Sequence, residues 1–476
     1  MSGPAAGEPA AGGYAGRRIL VAGAAVAGAA AAHALLRLGA RVTVADRAAT
    51  PRTEELAAHG ARVAIADPLP PDLLDGADEL VVSPGFPPGH PLVAAALGAG
   101  LAVYSEPELA WRLRGPDAPA WLAVTGTNGK TTTVTMLAAM LTAAGLRTAA
   151  LGNIGAPLVD AQTGYDVLAV ELSSFQLHWS STLAPPAGVI LNLADDHLEW
   201  HGTFDAYAGA KTTIWRAAGA GGAPDTGGLA LGNRDDAQVA ALLAAVPGGT
   251  AGFTLGEPGG PDEFGVRAGA LVHGDVPLIE AAAIRPAGEH NVANALAAAA
   301  LARFHGVPPE AVREGLLAYR PEPHRNAYVA TVDGVGYVDD SKATNPHAAL
   351  ASLTAYPRVV WIAGGQLKDV PVDDLVARVA DRLAGAVLLG VDRHRLAEAL
   401  ARHAPHLPVV SVASTHDGAM GEVVRAAAEL AAPGDTVLLA PAAASKDMFA
   451  SYARRGELFA EAVRARRAPG EPGADQ

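Results

Sequence analysis

The chain has 476 residues, enough for about three domains of ordinary size, each with its own buried core. Its formal net charge of −14 argues against a protein that coats nucleic acid, and leaves open a local basic pocket for an anionic small molecule. The absence of cysteine excludes disulfides, thiolate metal sites and a cysteine nucleophile, and it fits a reducing compartment.

The first 16 residues are rich in glycine, alanine and proline. They lack the basic and then strongly apolar pattern of a signal peptide. No apolar run in the chain approaches the roughly 20 residues that span a bilayer. We therefore expect residues 1–16 to be a disordered tail and the protein to be cytoplasmic, without a membrane span.

A βαβ unit opens the first predicted domain, residues 17–115. The pattern predicts a strand, a glycine turn, a helix and a second strand over residues 18–22, 23–28, 29–38 and 41–45. Ala25 stands where a dinucleotide fingerprint has a glycine, so its methyl group disfavours nicotinamide binding. Another nucleotide remains open, with Asp46 and Arg47 near its base or sugar. Ser83 follows a later strand, where a ligand contact and a plain surface loop are both open interpretations.

The second predicted domain, residues 116–319, begins with the stretch W-L-A-V-T-G-T-N-G-K-T-T at residues 121–132. It predicts a strand, a phosphate loop and a helix, in which backbone N–H groups surround phosphate oxygens. Lys130 adds a positive charge and Thr131 a hydroxyl suited to Mg²⁺. Val124 replaces the first glycine of the pattern G-x-x-x-x-G-K-[ST], so an ordinary strand-to-helix turn remains the alternative. The predicted ligand is a nucleoside triphosphate.

Two more strands of this domain end in polar residues. Glu171 follows the strand predicted over residues 166–170, and His197 follows the one predicted over 187–193. The carboxyl ends of parallel strands share one edge of a sheet, so both side chains are expected on the edge that carries Lys130, where they could hold metal and water. The alternatives are a solvated strand end for Glu171 and a capping or core histidine for His197.

The remaining segments complete an α/β chain of three domains. Residues 217–228 predict a mobile surface loop. Asn291 and Asn294 share a helix face that is either solvated or able to match an adenine edge. The third domain, residues 320–476, is predicted to open with a hairpin and continue as a doubly wound sheet. The first domain is thus Rossmann-like, the second a P-loop domain with a mostly parallel sheet, and the third doubly wound.

Several motifs in this order resemble those of the Mur ligase family. They are T-G-T-N-G-K-T-T, E-L-S-S-F-Q-L, N-L-A-D-D-H-L, E-H-N-V-A-N-A, D-D-S-K-A-T-N and the S-P-G and P-A-A-A-S loops, and they cover nearly the whole chain from about Arg17. D-S-K-A-T-N most resembles the members that add D-glutamate. The resemblance implies an ATP-dependent ligase of peptidoglycan precursor synthesis whose substrates are UDP-N-acetylmuramoyl-L-alanine and D-glutamate. It also implies that the protein is a monomer.

The resemblance also implies roles for individual residues. ATP would bind Gly126, Thr127, Asn128, Gly129, Lys130, Thr131, Thr132, Asn291 and Arg325. Two Mg²⁺ sites would use Thr131, Glu171, His197 and Lys211, the last as a carbamate formed with CO₂. The catalytic set would be Lys130, His197, Lys211 and Lys342. The UDP-substrate would contact Ala25, Val26, Asp46, Arg47, Ser83 and Asn153, and D-glutamate would contact Thr344, Lys368, Ser445 and Tyr452. From the residues alone, Lys211 reads as a surface charge on a helix.

Two other functions remain open. A P-loop regulator or chaperone would bind ATP and a protein partner, and would need neither the first domain nor D-S-K-A-T-N. A ligase of the same family that adds another amino acid is the nearer rival, because such relatives differ mainly in that segment.

Overall fold

The computed structural model describes residues 13–219, 228–367, 370–414 and 416–466. The chain divides into two compact units, one of residues 1–283 with 293–319 and one of residues 284–292 with 320–476. The first unit holds two sheets and the second holds one. The predicted α/β fold with parallel-rich sheets is confirmed.

The first sheet is a five-stranded parallel sheet with strand order β3-β2-β1-β4-β5. Its strands are β1 Arg18–Ala22, β2 Arg41–Asp46, β3 Arg62–Ile65, β4 Glu79–Val82 and β5 Ala102–Tyr104, and its helices are α1 Val26–Arg37, α2 Pro51–Ala58, α3 Pro91–Gly98 and α4 Glu106–Arg112. Gly28 lets α1 pack closely, because a Cβ there would lie 1.9 Å from the carbonyl oxygen of Gly23. The turn between β1 and α1 therefore sits directly on the carboxyl edge of the sheet.

The prediction of a disordered tail is wrong for residues 13–16. Tyr14 is fully buried, and the N–H of Gly16 donates to the carbonyl of Gly39 at 2.8 Å. An aromatic ring in the core and a backbone hydrogen bond hold this segment to the first sheet. Residues 1–12 lie outside the described part of the chain.

The second sheet has nine strands in the order β14-β13-β12-β11-β10-β9-β6-β8-β7. Its strands are β6 Ala120–Thr125, β7 Ala150–Gly152, β8 Val167–Glu171, β9 Ala187–Ile190, β10 Leu229–Asn233, β11 Gly249–Phe253, β12 Phe264–Arg267, β13 Ala270–His273 and β14 Val276–Glu280. The helices that follow the first sheet are α5 Lys130–Ala143, α6 Ser174–His178, α7 Leu198–His201, α8 Phe204–Thr212, α9 Arg216–Gly219, α10 Ala237–Ala244, α11 Glu289–Phe304 and α12 Pro309–Ala318. The division between the two units falls inside α11.

This sheet is parallel except at one end, where β12, β13 and β14 pair antiparallel. Ala268 and Gly269 join β12 to β13 with φ angles of 50° and 83°. Two residues with positive φ form the kind of turn that closes a hairpin, so no crossover helix is needed. The sequence carries Ala-Gly there instead of the stronger Asn-Gly signal, which explains why the hairpin was not predicted.

Strand β9 ends three residues earlier than predicted. Beyond Ile190, the backbone turns to the phosphate loop, where the N–H of Thr127 donates to the carbonyl of Asn192 at 3.0 Å. The loop predicted over residues 217–228 is also partly wrong, because Arg216–Gly219 is helical and residues 220–227 lie outside the described part of the chain.

The second unit contains a six-stranded sheet in the order β15-β16-β20-β17-β18-β19. Its strands are β15 Ala327–Val332, β16 Val335–Asp339, β17 Val359–Gly364, β18 Leu383–Leu389, β19 Val409–Ser411 and β20 Thr436–Leu439, and its helices are α13 Pro346–Thr354, α14 Asp373–Val379, α15 Arg393–His403, α16 Met420–Leu430 and α17 Tyr452–Ala465. The predicted hairpin is confirmed, since β15 and β16 pair antiparallel and the other pairs are parallel. Separate apolar clusters cover the two faces of the sheet.

Short 3-10 helices connect some of these elements: Pro71–Leu74, Leu158–Asp160, Thr213–Trp215, Ala281–Ala283, Ala380–Arg382 and Asp417–Ala419. Within the described residues, no helix is both long enough and apolar enough to cross a membrane.

Candidate active site

The phosphate loop is a tight turn between β6 and α5. Gly129 is the residue before α5 and has φ 82°, a left-handed conformation that side chains disfavour. A Cβ there would also lie 2.4 Å from Oδ1 of Asn294, so both the backbone conformation and the lack of space require glycine at this position. Nζ of Lys130 donates to the carbonyls of Gly126 and Thr127, each at 2.9 Å. These two hydrogen bonds hold the ammonium beside the loop, where it can bind an anionic phosphate.

The side chain of Asn192 forms two hydrogen bonds with the backbone of the same loop. Its Oδ1 accepts from the N–H of Asn128 at 2.8 Å, and its Nδ2 donates to the carbonyl of Asn128 at 3.2 Å. Thr127 is held from another side, since its Oγ1 lies 2.8 Å from the hydroxyl oxygen of Tyr207. These contacts restrict the loop before any ligand binds, which reduces the entropy cost of binding.

Glu171 connects the loop to the neighbouring strand. Its carboxylate is buried and accepts from Oγ1 of Thr131 at 2.7 Å and from Nδ2 of Asn153 at 2.8 Å. A hydroxyl, a carboxylate and an amide are oxygen-bearing groups of the kind that Mg²⁺ prefers. Asn153 was assigned to the substrate's sugar-peptide region, and the structure places it beside the candidate magnesium ligand.

Lys211 is buried, contrary to its reading as a surface charge. Nζ donates to the carbonyl of Gly126 at 2.9 Å and to Oγ1 of Thr125 at 3.3 Å, and lies 4.8 Å from the centre of the Tyr207 ring. Burial, with the Lys130 charge adding to it, lowers the pKa of Lys211 well below its usual range, although Asp196 and Glu171 oppose the shift. Lys211 is therefore a buried amine at the edge of the phosphate loop, in surroundings that disfavour its charged form.

His197 lies at the start of α7 with a left-handed φ of 55°. Its side chain is 37% exposed, with Nε2 3.5 Å from Asp196 and Nδ1 3.8 Å from Glu199. Its ring packs on Phe175, 4.6 Å between centroids. Among the described residues, no hydrogen bond or ion pair joins His197 to Glu171 or Lys211. Thr131 is hydrogen-bonded to Glu171, and Lys211 lies close enough to Glu171 to interact with its charge.

A cavity of about 480 Å³ lies at the carboxyl edge of the first sheet. Four of the residues assigned to the UDP-substrate line it: Ala25, Asp46, Arg47 and Ser83. The Asp46 carboxylate already accepts from the N–H groups of Ala24 at 2.6 Å and Arg47 at 2.7 Å. Val26, 52% exposed, is the first residue of α1 and is not among the lining residues.

Three loops of the second unit meet at the carboxyl ends of its strands. Nζ of Lys342 lies 4.0 Å from the centre of the Tyr452 ring, a cation–π contact that places these two predicted residues together. Ser445 is buried at the end of the loop after β20, and the neighbouring Ala444 bridges to Gln366. Thr344 follows Lys342 in the loop before α13, where its N–H donates to the Lys342 carbonyl at 2.8 Å.

Three predicted residues remain: Lys368, Arg325 and Asn291. Lys368 is outside the described residues. Arg325 lies 3.8 Å from Glu322, and its neighbour His324 is 2.6 Å from Asp339. Asn291 is buried at the start of α11, where Nδ2 donates to the Ala287 carbonyl at 3.3 Å.

Comparison with known proteins decides the family. Three family models match the chain: the Mur ligase MurD-like N-terminal domain at residues 17–105, the Mur ligase middle domain at 124–302, and the Mur ligase, glutamate ligase domain at 324–443. The UDP-N-acetylmuramoylalanine–D-glutamate ligase of Thermobifida fusca is 53% identical over 94% of this chain and 98% of its own length. The ligase of that name from Streptomyces avermitilis is 52% identical over the same shares. The chain belongs to the Mur ligase family.

Solved structures agree on the Mur ligase fold. UDP-N-acetylmuramate-alanine ligase MurC of Thermotoga maritima superposes with a TM-score of 0.57 at 18% identity, over 94% of this chain and 99% of the other. A pseudomurein peptide ligase type C of Methanothermus fervidus gives the same TM-score, identity and coverage. At this identity the likeness concerns the fold alone.

In this Mur ligase, three residues that support the site were missed by sequence reasoning: Asn192, Tyr207 and Arg455. Tyr207 precedes Lys211 by four positions, a helical spacing that could have flagged both as facing one site. Arg455 lies three positions after Tyr452 on α17 and is fully buried. A charged residue in an otherwise apolar helix face was the available signal.

Proposed function

We propose that this chain is the ATP-dependent ligase that adds D-glutamate to UDP-N-acetylmuramoyl-L-alanine, a step of peptidoglycan precursor synthesis that releases ADP and phosphate. The observation that carries the proposal is the cluster of Lys130, Thr131, Glu171 and Lys211 at one edge of the second sheet. It occurs in a chain 53% identical, over nearly its full length, to a ligase named for this reaction.

The first chemical step activates the terminal carboxylate of the nucleotide substrate. A carboxylate is a poor electrophile, so its oxygen attacks the γ-phosphorus of ATP, an acyl phosphate forms and ADP leaves. Lys130 neutralises negative charge on the transferring phosphoryl group, and the family resemblance assigns Lys342 the same role. Mg²⁺, held by Thr131, Glu171, His197 and Lys211, would supply further charge neutralisation at the phosphate oxygens.

In the second step, the amine of D-glutamate attacks the acyl carbon. A tetrahedral intermediate forms, the amine gives up a proton, and phosphate leaves as the amide bond closes. His197 is half-exposed at the carboxyl edge of the sheet, where its imidazole either binds the metal or, when it is not a metal ligand, accepts that proton.

We assign substrate contacts by combining position with family resemblance. The UDP part of the substrate occupies the cavity lined by Ala25, Asp46, Arg47 and Ser83. It also contacts Val26, the first residue of α1, and Asn153 contacts the sugar-peptide part of the substrate. Thr344, Lys368, Ser445 and Tyr452 hold D-glutamate, Asn291 meets the adenine, and Arg325 meets the phosphates of ATP.

We infer from the family resemblance that Lys211 is carbamylated. CO₂ reacts with the neutral form of an amine, and burial beside the Lys130 charge favours that form by lowering the pKa of Lys211. The reaction releases one proton and leaves a carboxylate on Nζ, the atom that now donates to Gly126 and Thr125, so that a metal-binding anion replaces the buried amine.

Carbon-13 NMR of protein equilibrated with labelled CO₂ tests this modification. We expect one carbamate resonance in the wild-type protein and its loss in Lys211→Arg. Lys446→Arg, which changes an exposed lysine, should keep the resonance. A wild-type protein without the resonance, or a resonance that persists in Lys211→Arg, contradicts the carbamate. Short carboxylic acids are further expected to restore activity to Lys211→Ala.

Phosphate release by the purified protein tests the function as a whole. We expect release only when MgATP, UDP-N-acetylmuramoyl-L-alanine and D-glutamate are all present. Release that requires L-alanine or L-lysine instead would keep the family and move the enzyme to another step. ATP binding by a folded protein without any release would favour a P-loop regulator. A monomeric state and a cytoplasmic location remain predictions, which sedimentation and cell fractionation test.

A further inference from the structure

Three potential metal ligands meet on the outer surface of the first sheet's helices. His33 projects from α1, and Glu55 and His59 lie four residues apart at the end of α2. Nε2 of His33 is 3.7 Å from Oε1 of Glu55, and the two imidazole rings are 5.0 Å apart at 85°. Among the residues that the structure describes, no other three histidine or carboxylate side chains bring ligand atoms within 4.8 Å of one another.

The hydrogen bond of His59 prepares its ring for a metal. Nδ1 lies 2.8 Å from the backbone carbonyl oxygen of Glu55. A carbonyl oxygen only accepts, so Nδ1 carries the proton and Nε2 keeps its lone pair. Metal-binding histidines usually donate their other ring N–H to a carbonyl or carboxylate in this way, which fixes the tautomer and the ring orientation.

The spacing needs only a small adjustment to fit zinc. Two ligands of one tetrahedral Zn²⁺ lie about 3.3 Å apart, given Zn–N and Zn–O distances of about 2.0–2.2 Å. The three ligand atoms already lie within 4.8 Å, and the exposed side chains of Glu55 and His59 can rotate inward without disturbing the core.

We infer that His33, Glu55 and His59 form a surface site for Zn²⁺, with water as the fourth ligand. Two imidazoles and one carboxylate select zinc over Mg²⁺, which prefers oxygen ligands. The ion joins α1 to α2, and none of the three residues lines the cavity at the carboxyl edge of the first sheet. The site is therefore structural and separate from the ligase reaction.

Zinc titration of the whole, metal-stripped protein tests this site, with a chromogenic chelator as competitor and Mg²⁺ in excess to occupy the ATP site. We expect one zinc ion bound in the micromolar range. His33→Gln and His59→Gln should each weaken binding at least about tenfold, because each removes a ligand. His403→Gln is the matched control, since His403 pairs with Asp373 on the surface at 3.0 Å without a second histidine. Equal affinity in all four proteins, or no micromolar binding by the wild type, overturns the site.

Anomalous scattering from zinc-soaked crystals of the wild-type protein locates the ion directly. We expect a peak between His33 and His59 that disappears in His59→Gln. A peak found only beside Glu171 overturns the inference, because the bound zinc would then belong to the phosphate-loop site.

Discussion

Glu171 links the start of α5, which follows the phosphate loop, to the segment after β7 by two hydrogen bonds. It accepts from Thr131 on α5 and from Asn153 after β7, and it is buried. Both partners are neutral, so the full negative charge is available to a cation. One side chain thus positions the loop and supplies the strongest candidate metal ligand.

Glu171→Gln keeps the size of this side chain and removes its charge. We expect kcat/KM for phosphate release to fall about 100-fold or more, because the metal loses its anionic ligand. The thermal midpoint should change little, since the amide can still accept from Thr131. Glu280→Gln, at the exposed end of β14, is the control and should retain wild-type kinetics. Activity of Glu171→Gln within threefold of wild type would remove Glu171 from the metal site.

Residue-level prediction succeeded where a local pattern exposes the chemistry. The glycine loop and the polar residue that ends a parallel strand are such patterns, and they led to Lys130 and Glu171. The burial of Lys211 was not predicted, because its partners Thr125 and Gly126 follow β6, which is distant from α8 in sequence, and its spacing from Tyr207 was the one local signal. The zinc ligands likewise come together only through the packing of α1 on α2.

At the scale of elements, Arg455 on α17 ties three loops of the second unit together. Its guanidinium donates to Oγ and the carbonyl of Ser341, to the carbonyl of Gly364 and to that of Ala443, at 2.9–3.4 Å. Burial lowers the pKa of Arg455 to about 10, so it stays charged at neutral pH. The loops it joins carry Lys342 and Ser445, two residues assigned to the reaction.

Arg455→Lys keeps the charge and cannot reach all three loops. We expect the free energy of unfolding to fall by about 3 kcal/mol, because buried carbonyls lose charged donors. The KM for D-glutamate should rise, since the loops that hold it are released. Urea unfolding and initial rates measure the two effects. Arg454→Lys, on the exposed face of α17, should change neither, and equal behaviour of the two variants would contradict the role of Arg455.

Glu106 links α4 of the first sheet to the 3-10 helix Leu158–Asp160. Its carboxylate is buried and accepts from the N–H of Val159 at 2.7 Å. Burial raises the pKa of Glu106 to about 7, with the nearby Asp160 charge adding to the shift. Between about pH 4.5 and pH 7, Glu106 keeps its proton in the folded protein, whereas it has lost that proton in the unfolded chain. The free energy of unfolding therefore falls as the pH rises through this window.

Glu106→Gln should remove this loss. We expect the difference in the free energy of unfolding between wild type and variant to change by about 2.5 kcal/mol in the variant's favour from pH 5 to pH 8. Urea unfolding at both values measures it, with the exposed Glu54→Gln as control. A difference that is the same at both pH values would show that Glu106 titrates at its ordinary pKa.

At the scale of the whole molecule, the chain combines three sheets, and predicted site residues follow strands in each of them. Hydrophobic periodicity and turn residues predicted the α/β class, the parallel cores and the hairpin of β15 and β16, because these depend on short stretches. The antiparallel strands β12 to β14 and the buried Tyr14 were not predicted, since pairing and burial there depend on partners far along the chain. The Mur ligase resemblance is confirmed, whereas the individual site roles remain proposals.

The mass of the nucleotide product tests the central claim most directly. The purified protein would be incubated with MgATP, UDP-N-acetylmuramoyl-L-alanine, unlabelled D-glutamate and an equal amount of deuterated L-glutamate. We predict a single nucleotide product heavier than the substrate by one unlabelled glutamyl residue. A deuterated product, or no heavier nucleotide despite ATP consumption, would contradict D-glutamate ligation by this chain.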